Sequence, residues 1–293
     1  MLAAYERDPF VRHSSVSPVT LAAWEQVALL HLPRAFEAIA LAPVTPLGTT
    51  TAVTQLSQDW SVPTARNTEV VSDTTNVLAL ECALRRRDCL PVAPRASQTV
   101  RLAASHRVLR AQRFEGRHAS SHFALFALCS AGRRQSGLLF ERDELAVHIA
   151  FYLSALPDYV GDSTELRVAV SYLPDAPGPH ESAEHTRGEE AVAHIVRELD
   201  THSARPTCSV EHAREKRRRY YVGLCFRISA MSGSGEEIEL ADGGVVDWTQ
   251  RYLSDTKERL VTSGIGSERV CQLFAPAFSD RPEGTGDSAR APQ

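Results

Sequence analysis

The chain has 293 residues, 43% hydrophobic and 23% charged, a balance that excludes a fibrous or low-complexity protein and is ample for a buried core. A formal net charge of −4 gives no overall basic field for nucleic acid, no apolar run reaches the ~20 residues of a membrane-spanning helix, and the start M-L-A-A-Y-E-R-D-P-F has no basic region followed by an apolar one, so neither membrane nor secretory signal is expected. The six cysteines (Cys82, Cys89, Cys129, Cys208, Cys225 and Cys271) form no C-x-x-C pair and lie mostly in apolar segments, the pattern of reduced, buried thiols in the cytoplasm.

Residues 1–20 are mixed in character and are expected to form an arm ahead of one core domain at 21–275. Leu21 to Ile39 shows helical spacing through Trp24, Val27, Ala28 and Phe36, with a break at Pro33. Leu41 to Thr54, rich in Pro, Gly and Thr, predicts short extended pieces, and extended or loop form continues to Asp73. Asp73-Thr74-Thr75 can cap a helix from Asn76 to Arg87 whose face carries Val77, Leu80, Ala83 and Leu84. The arginines at its end, Arg85 to Arg87, suit the helix dipole and require no nucleic-acid partner.

A strand is expected around Val108 to Gln112, then a polar loop at Glu115 to Ser121, then a continuous apolar strand, F-A-L-F-A-L-C-S-A, at Phe123 to Ala131. A helix at Asp143 to Leu156, a strand at Leu166 to Leu173, a loop to Gly188 and a helix at Glu189 to Asp200 follow. Pro206 to Arg218 is polar. Leu224, Phe226 and Ile228 alternate as in a strand with one buried face, M-S-G-S-G-E-E supplies a turn, and the returning strand from Ile238 is expected to end at Gly243-Gly244. Gly264-Ile265-Gly266 reads as a glycine corner opening a helix with Glu268 and Arg269, a place where free N–H groups and a guanidinium can meet an anion. Residues 276–293 are low in apolar side chains and are expected to be a disordered tail. Adjacent hairpins outnumber βαβ alternation, so the fold class is α+β, an antiparallel sheet flanked by helices.

Common chemical signatures do not fit. No P-loop, strand-linked G-x-G-x-x-G or nucleophile elbow is present. His118 and His122 have helical zinc spacing, but they fall in a loop with no third ligand near.

Three pieces in order do carry a signal: R-Y-Y-V-G-L-C-F-R, A-D-G-G-V-V-D and G-I-G-S-E-R. They resemble the catalytic core of class II aminoacyl-tRNA synthetases, in the histidyl branch, which has Y-Y-T-G-x-x-F-E, G-G-R-Y-D and a third motif close to G-x-G-x-E-R. Tyr220, Tyr221, Gly223 and Phe226 match the first; Gly243, Gly244 and Asp247 the second; Gly264, Gly266, Glu268 and Arg269 the third. R-V-L-R-A-Q-R-F places Arg110 at the arginine of the family's second motif, with Gln112 where an acid usually stands, and Gly116-Arg117 resembles its loop. T-E-V-V-S-D-T-T-N resembles the family's segment with an acid before a helix, offering Glu69 or Asp73.

The resemblance implies ATP binding and activation of a small carboxylate or amino acid, with adenylate formation. Arg110 would hold the α-phosphate, Arg269 the terminal phosphate and Arg117 would close over the nucleotide, with Glu239 carrying Mg2+. The same positions assign the nucleotide to Gly264 and Gly266, and the substrate to Glu69, Tyr220, Tyr221, Gly243 and Gly244. Departures limit the likeness. Lys216, Leu125 and Cys129 stand where a histidyl enzyme has an arginine and acidic residues, and no anticodon-binding module follows Phe274, so charging tRNA is not expected. A non-catalytic partner subunit, as in the regulatory subunit of ATP phosphoribosyltransferase, stays open beside the activating enzyme, as does a scaffold with neither activity. Pro43 to Gly48 resembles the family's dimer region, so a homodimer is expected, and a protein partner under the regulatory reading.

Overall fold

The computed structural model describes residues 1–8, 10–54, 57–89, 98–112, 121–161, 164–174, 183–211, 220–231 and 235–274. Helices α1 (Leu2–Arg7) and α2 (Pro18–His31) come first; Ser17 caps α2 by accepting from the Val19 N–H, and Pro18 occupies a first-turn position where no donor is lost. There follow β1 (Glu37–Ala38), β2 (Val44–Pro46), α3 (Thr49–Thr54), β3 (Pro63–Thr64), β4 (Thr68–Val70), α4 (Thr74–Cys89), β5 (Val100–Leu109) and β6 (His122–Arg133). The second half comprises α5 (Leu139–Val160), β7 (Leu166–Leu173), α6 (Ala183–Leu199), β8 (Thr207–Val210), β9 (Gly223–Met231), β10 (Glu237–Val246), α7 (Trp248–Leu253), β11 (Glu258–Gly266) and α8 (Ser267–Leu273).

Eight strands form one sheet in the order β1-β5-β6-β11-β10-β9-β7-β8, antiparallel except for the two outer pairs, β1 with β5 and β7 with β8. A small sheet, β2-β4-β3, stands beside it. The continuous apolar run of the sequence is β6, which is central and covered on both faces. Phe126 and Leu128 meet α5, while Ala127, Cys129 and Ala131 meet α4. The α+β class is as expected.

Several local expectations change. Phe36 packs into the core, but α2 ends at His31 and the chain enters β1. Thr49–Thr54 is a helix where short extended pieces were expected, and β5 begins at Val100 and ends at Leu109 rather than running over 108–112. β10 does not end at Gly243-Gly244; it continues to Val246. A Cβ on Gly243 would lie 2.5 Å from Phe226 Cε1 and 2.5 Å from Ser263 Cβ, and one on Gly244 2.7 Å from Tyr221 Cδ1, so these glycines admit neighbouring strands and rings. Gly264 and Ile265 lie inside β11, paired with β6 and β10, so the expected glycine corner with free N–H groups is a strand instead.

The arginines at the end of α4 each find an acid. Arg85 pairs with Glu37 and Glu81, and Arg87 with Asp88. Arg86 is buried and donates from Nε and Nη2 to the buried Glu258 at 2.8 and 2.9 Å; Glu258 also accepts from Arg133, at 3.2 Å. None of the six cysteines forms a disulfide, and no helix among the described residues is long and apolar enough to cross a membrane.

Candidate functional site

A cleft of about 470 Å³ opens on the α4 face of the sheet. Its floor is β10 and β11, and its walls are the first turn of α4, the segment just after β5, the start of β6, the Tyr220-Tyr221 pair and α8. Asp73 sits where two demands converge. Its Oδ1 caps α4, accepting from Thr75 N at 3.0 Å and Thr75 Oγ1 at 2.7 Å. Its Oδ2 accepts from Arg110 Nη2 at 3.1 Å. Arg110 also donates from Nε to the Ser72 carbonyl at 3.1 Å, and its guanidinium stands 5.0 Å from the Phe123 ring centre. It is therefore fixed in place at the cleft wall.

Arg269 reaches the same cleft from the other side. It is exposed on α8, and its Nη1 donates to the Glu239 carbonyl at 3.0 Å. Beside it, Glu268 is buried and paired with Arg107. Tyr220 and Tyr221 are set edge to face, ring centres 4.9 Å apart, and Tyr220 stands likewise against Trp248 at 5.3 Å. Burial pushes both tyrosine hydroxyls up, helped by the negative charges of Asp73 for Tyr220 and Asp242 for Tyr221, so both stay neutral donors at physiological pH.

Among the described residues, two buried side-chain oxygens beside the cleft have no hydrogen-bond partner: Asn76 Oδ1, on a residue 2% exposed, and Gln112 Oε1. A Cβ on Gly264 would meet nothing closer than Leu125 at 3.4 Å, which leaves the floor low beneath the space between the two arginines.

The cleft brings together Arg110, Arg269, Glu239, Gly264, Gly266, Tyr220 and Tyr221. Glu69 is not among its lining. It is fully buried, and its carboxylate accepts from Gly48 N (2.9 Å), Thr50 N (2.9 Å), Thr50 Oγ1 (2.8 Å), Gln58 Nε2 (2.5 Å) and Ser61 Oγ (3.1 Å). The acid facing the cleft is Asp73, the other carboxylate of the same segment. Gly243 and Gly244 also stand outside the lining, beneath the packed rings. Arg117 and Lys216 fall outside the described residues. Leu125 lines the cleft, whereas Cys129 is buried behind it with Sγ 3.4 Å from Thr262 Oγ1.

Asn76, Trp60 and Asp242 belong to the cleft and were not singled out from the sequence. Asn76 carried a faint signal as a polar residue in the first turn of an apolar helix. Glu239 and Asp242 both line the cleft although simple alternation puts them on opposite faces; the register of β10 on β9 shifts between Glu239 and Ala241, and this bulge brings both to one side. Among the described residues no cluster of three His, Cys, Asp or Glu side chains is placed to hold a metal ion by itself.

No known family profile and no curated protein matches the sequence. Solved structures match the fold. A structure described as an ATP phosphoribosyltransferase regulatory subunit/histidyl-tRNA synthetase from Bacillus halodurans C superposes with TM-score 0.66 at 13% identity, over 92% of this chain and 83% of the other. Apo histidyl-tRNA synthetase of S. aureus gives TM-score 0.60 at 13% identity, over 89% and 68%. A putative threonyl-tRNA synthetase from Aeropyrum pernix gives 0.61 at 10% identity, over 88% and 59%. The chain thus has the α+β fold seen in these class II aminoacyl-tRNA synthetase structures.

Proposed function

We propose that the cleft binds ATP together with a small amino acid or other carboxylate, as a stand-alone divergent core of the histidyl-tRNA synthetase type. The observation that carries this reading is the convergence of Arg110 and Arg269 from opposite walls onto one cleft. Two guanidinium groups on facing walls suit a polyphosphate, and Arg110, fixed by Asp73 and the Ser72 carbonyl, is preorganised to stabilise charge on a phosphate. Asp73 and Asp242 offer carboxylates to an ammonium group.

A magnesium ion bound with the triphosphate would neutralise phosphate charge, and Glu239 is the carboxylate on that wall best suited to hold it. The chain's own residues then have three tasks. Arg269 holds the outer phosphates, Arg110 the phosphate under attack, and the tyrosine pair closes the amino-acid side. Homodimerisation through Pro43 to Gly48, where Leu47 is exposed, completes the reading.

Two observations favour a second reading, a non-catalytic subunit with a protein partner. Arg110 is already neutralised by Asp73, and the superposition with TM-score 0.66 is to a structure described in part as a regulatory subunit. Calorimetric titration with ATP and magnesium tests the first. The Arg110→Ala/Arg269→Ala variant is expected to lose about 100-fold or more in affinity, since each guanidinium–phosphate bond contributes roughly 1.5–3 kcal/mol; unchanged affinity overturns the proposal. Pyrophosphate exchange driven by one amino acid then identifies an activating enzyme, and ATP binding without exchange identifies the subunit.

A further inference from the structure

Among the described residues that line the cleft, Trp60 is the large apolar side chain left exposed: it is 39% accessible, whereas Trp24 and Trp248 are 0% and 2% accessible. Its indole meets no ring, cation or hydrogen-bond partner among the described residues. A lone apolar residue on a flat surface needs no explanation, but an uncovered aromatic ring inside a concave site is a surface for a ligand.

The backbone that carries this ring is pinned. Trp60 closes the short turn Gln58–Trp60, its N–H donating to the Ser57 carbonyl at 3.1 Å. Its own carbonyl accepts from Ala111 N at 3.2 Å. Gln58 and Ser61, on either side of it, both donate to the buried carboxylate of Glu69. The same bonds fix what lies near the indole. Ala111 follows Arg110, which is bonded to the Ser72 carbonyl and to Asp73, and Ser72 Oγ stands 2.8 Å from Thr50 Oγ1. Trp60, Arg110 and Asp73 therefore share one end of the cleft, while Arg269 on α8, bonded to the Glu239 carbonyl, holds the other. Phe123 and Leu125, also in the lining, belong to one apolar cluster with Val71, the neighbour of Ser72.

We infer that Trp60 determines which amino acid the cleft accepts, and that this amino acid has an apolar or aromatic side chain, such as leucine or phenylalanine. The inference rests on the reading of the cleft as a site for ATP and an amino acid. With phosphate between the two guanidinium groups and the ammonium group at Asp73, the α-carbon lies at the Trp60 end. The side chain then meets the indole, Phe123 and Leu125, three apolar surfaces that offer burial and no charge.

Because Trp24 and Trp248 are shielded, acrylamide quenching of tryptophan emission in the full chain reports Trp60, and Trp60→Phe supplies the background. Leucine, phenylalanine, serine, lysine and glutamate are titrated without and with ATP and magnesium, by quenching and by calorimetry. Leucine or phenylalanine is expected to bind about tenfold or more tighter than the other three and to protect Trp60 from acrylamide. Trp60→Ala should lose that preference by about tenfold and leave ATP affinity unchanged, and Trp60→Phe should keep most of it. Trp60 is exposed, so both variants should fold, which far-ultraviolet circular dichroism checks. A small or charged amino acid preferred by the native chain, or a ranking unchanged in folded Trp60→Ala, would overturn the inference. So would ATP alone protecting Trp60 as fully, which would give the indole to the base. Leucine or phenylalanine that protects Trp60 in a chain with no affinity for ATP would overturn the nucleotide reading alone. ATP binding with no amino acid protecting Trp60 would overturn this inference alone.

Discussion

Glu69→Gln separates a structural carboxylate from a ligand-binding one. In the native protein both carboxylate oxygens are filled by internal donors, including the backbone N–H of Gly48 on Oε2 and of Thr50 on Oε1. An amide keeps one acceptor and replaces the other with NH2. Whichever way it turns, one of those backbone N–H groups faces a donor. Ser61 and Thr50 can rotate their hydroxyls, but a backbone N–H cannot turn away. The loss combines charge-assisted bonds, roughly 1.5–3 kcal/mol, with a buried unsatisfied donor, roughly 1–3 kcal/mol, so a destabilisation of about 3–5 kcal/mol is expected. At roughly 2–3 °C per kcal/mol for a chain of this size, Tm should fall by about 6–15 °C. Burial alone would raise this carboxyl, but the donors of Thr50, Gln58 and Gly48 outweigh it and hold it below the usual range. The unfolded chain therefore binds the proton first as pH falls. Glu69 stabilises the fold above the ordinary carboxyl range, and that contribution fades as pH drops through its lowered native value. The variant should lack this part of the acid dependence. Urea unfolding at several pH values measures both effects. A variant within about 1 kcal/mol of the native protein that has nonetheless lost cleft ligands would refute the reasoning and return Glu69 to the ligand.

Gly243→Ala should cost about 1–3 kcal/mol or more in urea unfolding, because its Cβ would lie 2.7 Å from the fixed Thr262 carbonyl oxygen; a neutral effect would mean that β10 and β11 can separate. Arg86→Met leaves buried Glu258 with Arg133 alone, so a loss of roughly 3 kcal/mol is expected, with substantial recovery in Arg86→Met/Glu258→Met; additivity of the two changes would refute the pairing. His148 is buried between Ser130 and Ser263, and burial, with the Arg101 charge nearby, pushes it down to about 3. Its unfolded form is protonated below the ordinary value of 6.5 while the native form is not, so it lowers stability by up to ~1.4 kcal/mol per pH unit as pH falls from there towards about 3. His148→Gln should flatten that slope in unfolding curves, and an unchanged slope would place the acid sensitivity elsewhere.

The strands were legible wherever one physical signal dominated. β6 is apolar at nearly every position because it is covered on both faces, and β9 shows Leu224, Phe226 and Ile228 in strict alternation. The capping of α4 by Asp73 was legible too, since that carboxylate and the helix are neighbours in sequence. Glycine misled at both β10 and β11. Its usual meaning is a turn, whereas in β10 it relieves contact with Phe226, Tyr221 and a neighbouring strand, and in β11 it lies within a paired strand at the cleft floor, neither of which periodicity encodes. The choice between Glu69 and Asp73 could not be made from spacing, because it depends on donors from Gly48 to Ser61 that close around one and not the other. Asp242 was hidden by the bulge, a backbone event with no residue signature of its own.

The order of strands has a consequence for how the chain reaches this state. β6 lies beside β11, and Cys129 touches Thr262 across 133 positions of sequence. No local hairpin completes the middle of the sheet. During synthesis β6 must wait, with its apolar side chains uncovered along one edge, until β11 has left the ribosome. Such high contact order predicts folding on the slow side for a domain of this size, and a window in which the F-A-L-F-A-L-C segment can pair with another copy. Expression at low temperature or with a chaperone that shields apolar strands should raise the folded yield without altering the stability of what is recovered.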